Sequence, residues 1–252
     1  MFSAPRFTGL ENYVRMFMED DVFITALSNT VLAALIIGPA GYLLSFFLAW
    51  IINELPPVLR AVLTLVFYAP SISGASYVVW SFIFSADSYG LANSFLLQLG
   101  LIDTPLLFFS DASMALPLVI AVQLWLSLGV GFLAFIAGLQ NTDRSLAEAG
   151  AVDGIRDRFQ ELWYITLPQM IPSLMFGAVM QIVSSFTVAD ISVTLAGFPS
   201  AEYAGETIVT HIMDVGNQRY EMGYACAIAG VLFILMIAAN KLVTRAINGI
   251  GT

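Results

Sequence analysis

The residues that could carry chemistry in this chain are few, and the densest group sits in one short stretch. There is one histidine, His211, one lysine, Lys241, and one cysteine, Cys226. Asn240 precedes Lys241, so no GxxxxGK[ST] phosphate loop exists and ATP is not bound by that route. His211 has no second histidine to share a metal with. Cys226 cannot close an internal disulfide. It reads as a small packing residue in the last apolar run, where Gly223 and Ala227 are spaced for close helix approach. Charge concentrates in residues 141–168, NTDRSLAEAGAVDGIRDRFQELWYITLP.

That stretch has internal order suited to a mechanical part. Ser145-x-x-Glu148 is a capping-box pattern, in which the Ser145 hydroxyl accepts from the Glu148 N–H. Two helical turns over 146–153 would follow, stopped by Gly154 in a left-handed cap. Asp157-x-x-Gln160 reads as a second helix start, and Pro168 opens the next apolar run where its missing N–H costs little. Ala147, Ala149, Gly150 and Ala151 keep the first short helix slim, so another protein's surface could approach its backbone. The plain alternative is a structured linker between two spans.

The elements that must position this stretch are membrane helices. The 252 residues are 59% apolar and only 11% charged, with a mean hydropathy of +0.85. A soluble domain carries about 25% charged residues. The net charge of −9 gives no basic footprint for nucleic acid. Five runs lack Asp, Glu, Lys and Arg: 22–53, 61–86, 112–142, 162–189 and 222–240. Each can cross a bilayer once, and backbone satisfaction in hydrocarbon makes each helical. Gly38-Pro39 could kink the first. The expected fold is an all-α membrane protein with five transmembrane helices.

Arg60, Arg144, Arg156, Arg158, Lys241 and Arg245 fall on one side of this arrangement, and Arg6, Arg15 and Arg219 on the other. The basic excess marks the first side, with residues 140–168, as cytoplasmic. The N-terminus is then outside. Residues 1–21 carry Phe7, Leu10, Val14 and Phe17 as an apolar stripe, which predicts an external amphipathic helix lying on the membrane surface. Residues 22–252 form one transmembrane domain.

Within the runs, Gly177, Gln181, Ser184 and Ser185 share one helical face, and Gln123, Ser127 and Gly131 another, with Trp125 close by. Hydroxyl and amide groups beside an aromatic ring suit a neutral polyol on a solute path. The same residues also serve as helix–helix glue. Asp190, at the outer end of the fourth run, is a candidate pathway acid or an interfacial carboxylate. A membrane-embedded enzyme would need titratable clusters inside the runs, and an ion-coupled carrier a buried ionisable group. The runs contain neither.

Glu148-Ala149-Gly150-x-x-Asp153-Gly154, followed by Ile165-x-Leu167-Pro168, resembles the EAA motif of the permease subunits of ABC importers. Gly150 stands where the motif usually has a second alanine, and ten residues rather than about nine separate Gly154 from Ile165. The segments 7–13 (FTGLENY), 29–30 (NT), 89–93 (YGLAN), 137–140 (AGLQ) and 223–225 (GYA) are similar to the carbohydrate-uptake, maltose-transporter-like branch.

This resemblance implies a type I ABC importer permease-like bundle in a bacterial or archaeal cell (inner) membrane. It implies a second homologous permease subunit, a pair of ABC ATPase subunits that bind the ATP and magnesium, and an extracytoplasmic solute-binding protein. The permease itself has no cofactor and no catalytic residue. Glu148, Ala149, Gly150, Asp153 and Gly154 would form the ATPase-coupling surface, and a sugar or oligosaccharide would be the solute, the alternative being a permease for a non-sugar small solute. Such permeases usually have six helices, so the usual first helix is expected to be absent from this sequence.

Overall fold

Long charge-free runs underlie the longest helices. The computed structural model describes residues 7–74 and 76–249, and every regular element among them is helical. Four stretches are long and apolar enough to cross a membrane: Asp21–Asn53, Ala112–Gln140, Ile171–Ala196 and Met222–Asn248. In order, α1 is Glu11–Met18, α2 Asp21–Asn53, α3 Pro57–Ile72, α4 Val78–Ile83, α5 Leu91–Gln98, α6 Ala112–Leu126 and α7 Val130–Gln140. Then come α8 Arg144–Val152, α9 Arg158–Glu161, a π-helical turn Leu162–Thr166, α10 Leu167–Gln169 and α11 Ile171–Phe186. The chain ends with α12 Asp190–Ala196, a 3₁₀ turn Ala201–Tyr203, α13 Ile208–Met213, a second π turn Asp214–Gln218 and α14 Met222–Asn248. Helix α2 carries Pro39 without interruption.

Three runs depart from the expected continuous helices. The second yields the 16-residue α3, with Pro70 in its last turn, then a non-helical stretch and the short α4. The third is broken over residues 127–129. There the Ser127 hydroxyl donates to the Leu124 carbonyl at 2.6 Å, and Gly129 leaves helical geometry at φ −103°, ψ −140°. Ser127 and Leu128 are buried, as irregular backbone at membrane depth must be. The fourth turns at Met170 and stops at Phe186, with residues 187–189 between it and α12. The last helix runs past residue 240 and carries Lys241 and Arg245 within it.

The described chain forms two compact units. One comprises Ala34–Ser76, Gln123–Ser185 and Met236–Thr252. Its core gathers Phe46, Ala49, Phe132, Phe135, Leu139, Met170, Leu174 and Ile247. Phe135 packs edge-on to Tyr42 at 5.2 Å and to Phe46 at 5.7 Å, and the Tyr42 hydroxyl donates to the Leu174 carbonyl at 3.2 Å. Helices α7 and α11 touch backbone to backbone: a Cβ on Gly131 would lie 3.5 Å from the Gly177 Cα, and Gly177 lies under the Phe135 ring.

The other unit comprises Met1–Ala33, Tyr77–Val122 and Phe186–Leu235. Fully buried Asn93 pins its α4–α6 connection. Its amide donates to the Ser85 and Leu106 carbonyls at 3.0 Å each, and its carbonyl accepts from Leu106 N–H at 2.9 Å. Arg6, at the start of the amphipathic stretch, lies outside the described residues. Cys226 is exposed rather than packed, because it projects from the side of α14 away from the buried Tyr224, Ala225, Ala227 and Ile228.

Candidate functional site

Residues 140–168 are anchored at both ends by close helix contact. A Cβ on Gly138 would lie 2.6 Å from the Ser173 Oγ, so α7 and α11 draw together where the loop leaves and returns. Helix α8 starts earlier than the capping-box reading placed it. Asp143, not Ser145, is the N-cap: its carboxylate accepts from the Ser145 N–H at 2.9 Å. Ser145 falls in the first turn, because Gln169 fixes the start from outside by accepting from the Asp143 N–H at 2.9 Å. The Asp143 carboxyl is held below the usual carboxylate range by hydrogen bonds from the Ser145 N–H and hydroxyl.

The far end follows the sequence expectation. Gly154 has φ +100° and ends α8. The Ile155 N–H donates to the Gly150 carbonyl at 2.9 Å, the six-to-one bond of a Schellman cap. The Ile155 side chain then folds back, with Cδ1 3.0 Å from the position of a Gly150 Cβ. The Cδ1 of Ile165 lies 2.5 Å from that position, so the two halves of the motif meet there. Gly150 is buried, while Glu148, Ala149, Ala151, Val152, Asp153 and Gly154 are exposed. The helix therefore presents acid, alanine and valine outward from a rigidly capped rod.

The second short helix starts as read: the Asp157 carboxylate accepts from the Gln160 N–H at 2.8 Å. Arg158 pairs with Glu54 at 2.8 Å and Glu161 at 3.1 Å, and Phe159 packs on Trp50 at 5.4 Å. These contacts tie the loop to the end of α2. A cleft of about 610 Å³ lies beside α8, lined among others by Glu54, Arg60, Asp143, Glu148, Arg158 and Glu161. Sequence reasoning missed Gln169 and Glu54 as parts of this scaffold. Their partners lie 26 and 104 residues away, and nothing local marks them.

The polar faces of the apolar runs are engaged between or within helices. Gln181 Nε2 donates to the Ile37 carbonyl at 2.9 Å. Gln123 Nε2 donates to the Ser184 hydroxyl at 3.0 Å and its carbonyl at 3.2 Å. The Ser185 hydroxyl donates to the Ile182 carbonyl at 2.9 Å. Gln123, Ser127, Gln181 and Ser185 are buried, and Ser184 is half-buried. Gly41 packs against the Gln181 amide and Ser127 Oγ. Trp125 is exposed, and exposed Asp190 begins α12. The structure thus brings Gln181, Ser127 and Gly41 together, and Gln123 with Ser184.

The other unit holds a polar cluster that sequence reasoning did not assemble. Asp20 Oδ2 accepts from the Tyr224 hydroxyl at 2.7 Å and lies 2.9 Å from His211 Nε2. Burial works to raise the Asp20 carboxyl, but hydrogen bonds from Tyr224, the Phe23 N–H and His211 outweigh it and lower it. Asn29 Nδ2 donates to the Ala204 and Glu206 carbonyls at 3.0 and 2.9 Å, and the Ile208 N–H donates to the Thr30 hydroxyl at 2.8 Å. Burial lifts the Glu206 carboxyl above the usual range, against the pull of a hydrogen bond from Thr210.

This architecture has known counterparts. Residues 30–248 match the family model described as "Binding-protein-dependent transport system inner membrane component". The chain is 31% identical over 240 residues to the probable ABC transporter permease protein YesP of Bacillus subtilis (strain 168), covering 94% of this chain and 76% of that one. It is 28% identical over 249 residues to the arabinooligosaccharides transport system permease protein AraP of the same organism, covering 96% and 76%. A chain of the bacterial alginate ABC transporter, solved in complex with an alginate pentasaccharide-bound periplasmic protein, superposes with a TM-score of 0.79 over 95% of this chain and 84% of that one. Its sequence identity of 24% makes this a likeness of fold. The chain belongs to the binding-protein-dependent transport system inner membrane components, the membrane-spanning permeases of ABC transporters.

Proposed function

We propose that this permease forms part of the path for a sugar or oligosaccharide in an ATP-driven importer and that α8 is its handle. The observation that carries the reading is the capped, slim α8, fixed from inside by Ile165 and Ile155 under Gly150 and bare on its outer side. A rod held in this way moves as one body with the ends of α7 and α11. Glu148, Ala149, Asp153 and Gly154 would seat in a groove of a separate ABC ATPase, which binds the ATP and magnesium, and Gly150 would set the rod's depth from its inner side. Closure of the ATPase pair would drive the rod, and hydrolysis would reset it, a two-state rigid-body switch. A second homologous permease completes the path, and an extracytoplasmic binding protein delivers the solute.

The solute class is supported by the relatives' names. They include permeases for arabinooligosaccharides, lactose in Rhizobium radiobacter and sn-glycerol-3-phosphate in Pectobacterium atrosepticum. Gln123, Trp125, Ser127, Gln181, Ser184, Ser185 and Asp190 are the proposed pathway groups. In the described conformation several of them bond within the protein, and parting α2 from α11 would free the Gln181 amide for a sugar hydroxyl.

The test is uptake by a reconstituted system. Glu148→Arg and Gly154→Val should insert normally, bind the ATPase poorly and abolish ATP-driven uptake. Wild-type uptake in both variants, or solute movement by the chain with no ATPase present, overturns the reading.

A further inference from the structure

We propose that α1 is a lipid-immersed float, with its outward arc set in the interfacial region of the bilayer and its inward arc clamped to the starts of two spans. At 100° per residue, Asn12, Arg15 and Met16 fall on one side of α1, and Tyr13, Val14, Phe17 and Met18 on the other. Protein engages the first side. Met16 is fully buried. Asn12 Nδ2 donates to the Gly223 carbonyl at 3.3 Å. Arg15 pairs with Glu221 at 2.5 Å and lies 4.3 Å over the Tyr224 ring.

The second side is apolar and largely exposed, with Phe17 edge-on to the Phe23 ring at 5.5 Å and the Tyr13 hydroxyl against Gly230. Leu10 is 72% exposed, Val14 56%, Phe17 50% and Met18 81%, and Phe7, just before the helix, is 95% exposed. Two observations settle what covers this arc. The first is level. Asn12 and Arg15 hold the first turn of α14, and Glu19-Asp20 passes directly into α2, so α1 lies where two membrane-spanning helices begin. The second is continuity. Exposed apolar side chains carry on along both spans, at Ile24 and Leu32 of α2 and at Met222 and Phe233 of α14, with Tyr220 just before α14. A surface of this kind, at that depth and running into the lipid-facing sides of its neighbours, fits the acyl–headgroup boundary.

The charges also define the lipid. Arg15 is the only cation of α1 and is already paired with Glu221, while Glu11 and Glu19 are acidic. Among the described residues of this segment no basic patch selects acidic headgroups, so insertion of α1 is apolar and indifferent to lipid charge. This reading does not depend on the ATPase coupling proposed above.

The test uses the full chain in phosphatidylcholine nanodiscs. In a Cys226→Ser background, Val14→Cys, Phe17→Cys and Glu11→Cys each receive an environment-sensitive NBD label, and some lipids are brominated near the glycerol. Labels at 14 and 17 should emit blue-shifted light and be quenched at least about twofold more by brominated lipid than the label at 11. Exchanging part of the phosphatidylcholine for phosphatidylglycerol should leave this unchanged. Water-like emission at 14 and 17 overturns the proposal. So does blue-shifted emission that brominated lipid leaves untouched, which would mean a protein surface covers the arc. A strong dependence on anionic lipid would overturn it as well.

Discussion

Ile165 Cδ1 lies 2.5 Å from where a Cβ on Gly150 would stand, so the glycine in the EAA-like motif and the isoleucine of Ile165-x-Leu167-Pro168 form one contact. The intruding atom is the free end of a flexible side chain, as is Ile155 Cδ1 at 3.0 Å. Gly150→Ala should therefore be tolerated. Small shifts of the two isoleucines are offset by helix propensity, which favours Ala over Gly by about 0.8–1 kcal/mol. Gly150→Leu overfills the contact and should cost about 1–3 kcal/mol. Thermal unfolding and ATP-driven uptake of both variants check this, with Gly150→Leu/Ile165→Ala expected to recover part of the loss.

Asp143 rather than Ser145 caps α8, and the two positions make opposite predictions. Asp143→Ala should loosen the helix start by about 1 kcal/mol, the usual worth of an N-cap. If docking on the ATPase must then order that turn, affinity for the ATPase falls about fivefold. Ser145→Ala should leave affinity unchanged. Titration of the ATPase against the two variants in detergent decides between them. A larger effect at Ser145 would return the cap to the position the sequence pattern suggested.

The contrast shows what the sequence makes legible. Apolar length and absence of charge are local properties, so α2, α11 and α14 lie close to where the charge-free runs put them. A charge-free run does not register Pro70, the Ser127 hydroxyl bonded to Leu124 or the turn at Met170, and so three runs depart from continuous helix. Gly154 was readable because a left-handed stop after a short helix needs only its own residue type. Asp143 was not, because Gln169 from beyond the loop chose between two possible caps. Asn12, Asn29, Thr30, Gly223 and Tyr224 stood out by likeness alone. Their physical work is done on partners as far as 211 residues away, as in the Asn12 bond to Gly223.

Asp20 links α13 to α14 through His211 and Tyr224, and its lowered pKa gives that link a direction in pH. An acid held lower in the folded state stabilises above its unfolded value, about 3.9, and loses that contribution as pH falls through the folded value. Amides at the start of α14 should therefore stay protected from hydrogen exchange from neutral pH to about 4 and open only in stronger acid. Asp20→Ala should show the opened pattern at pH 7. Equal protection in wild type and Asp20→Ala at pH 7 would discard Asp20 as the link.

Gln181 tests whether the polar face of α11 only joins helices or also meets solute. Its amide bonds the Ile37 carbonyl at 2.9 Å in a buried setting. Gln181→Leu keeps the volume and removes the bond, which should lower stability by about 0.6 kcal/mol, the average for such contacts between membrane helices. A joint alone would lose that stability and keep its solute KM. As a pathway group, Gln181 also loses a partner for sugar hydroxyls, so KM should rise several-fold while membrane insertion stays normal. The same KM for Gln181→Leu and wild type would leave this face to helix packing alone.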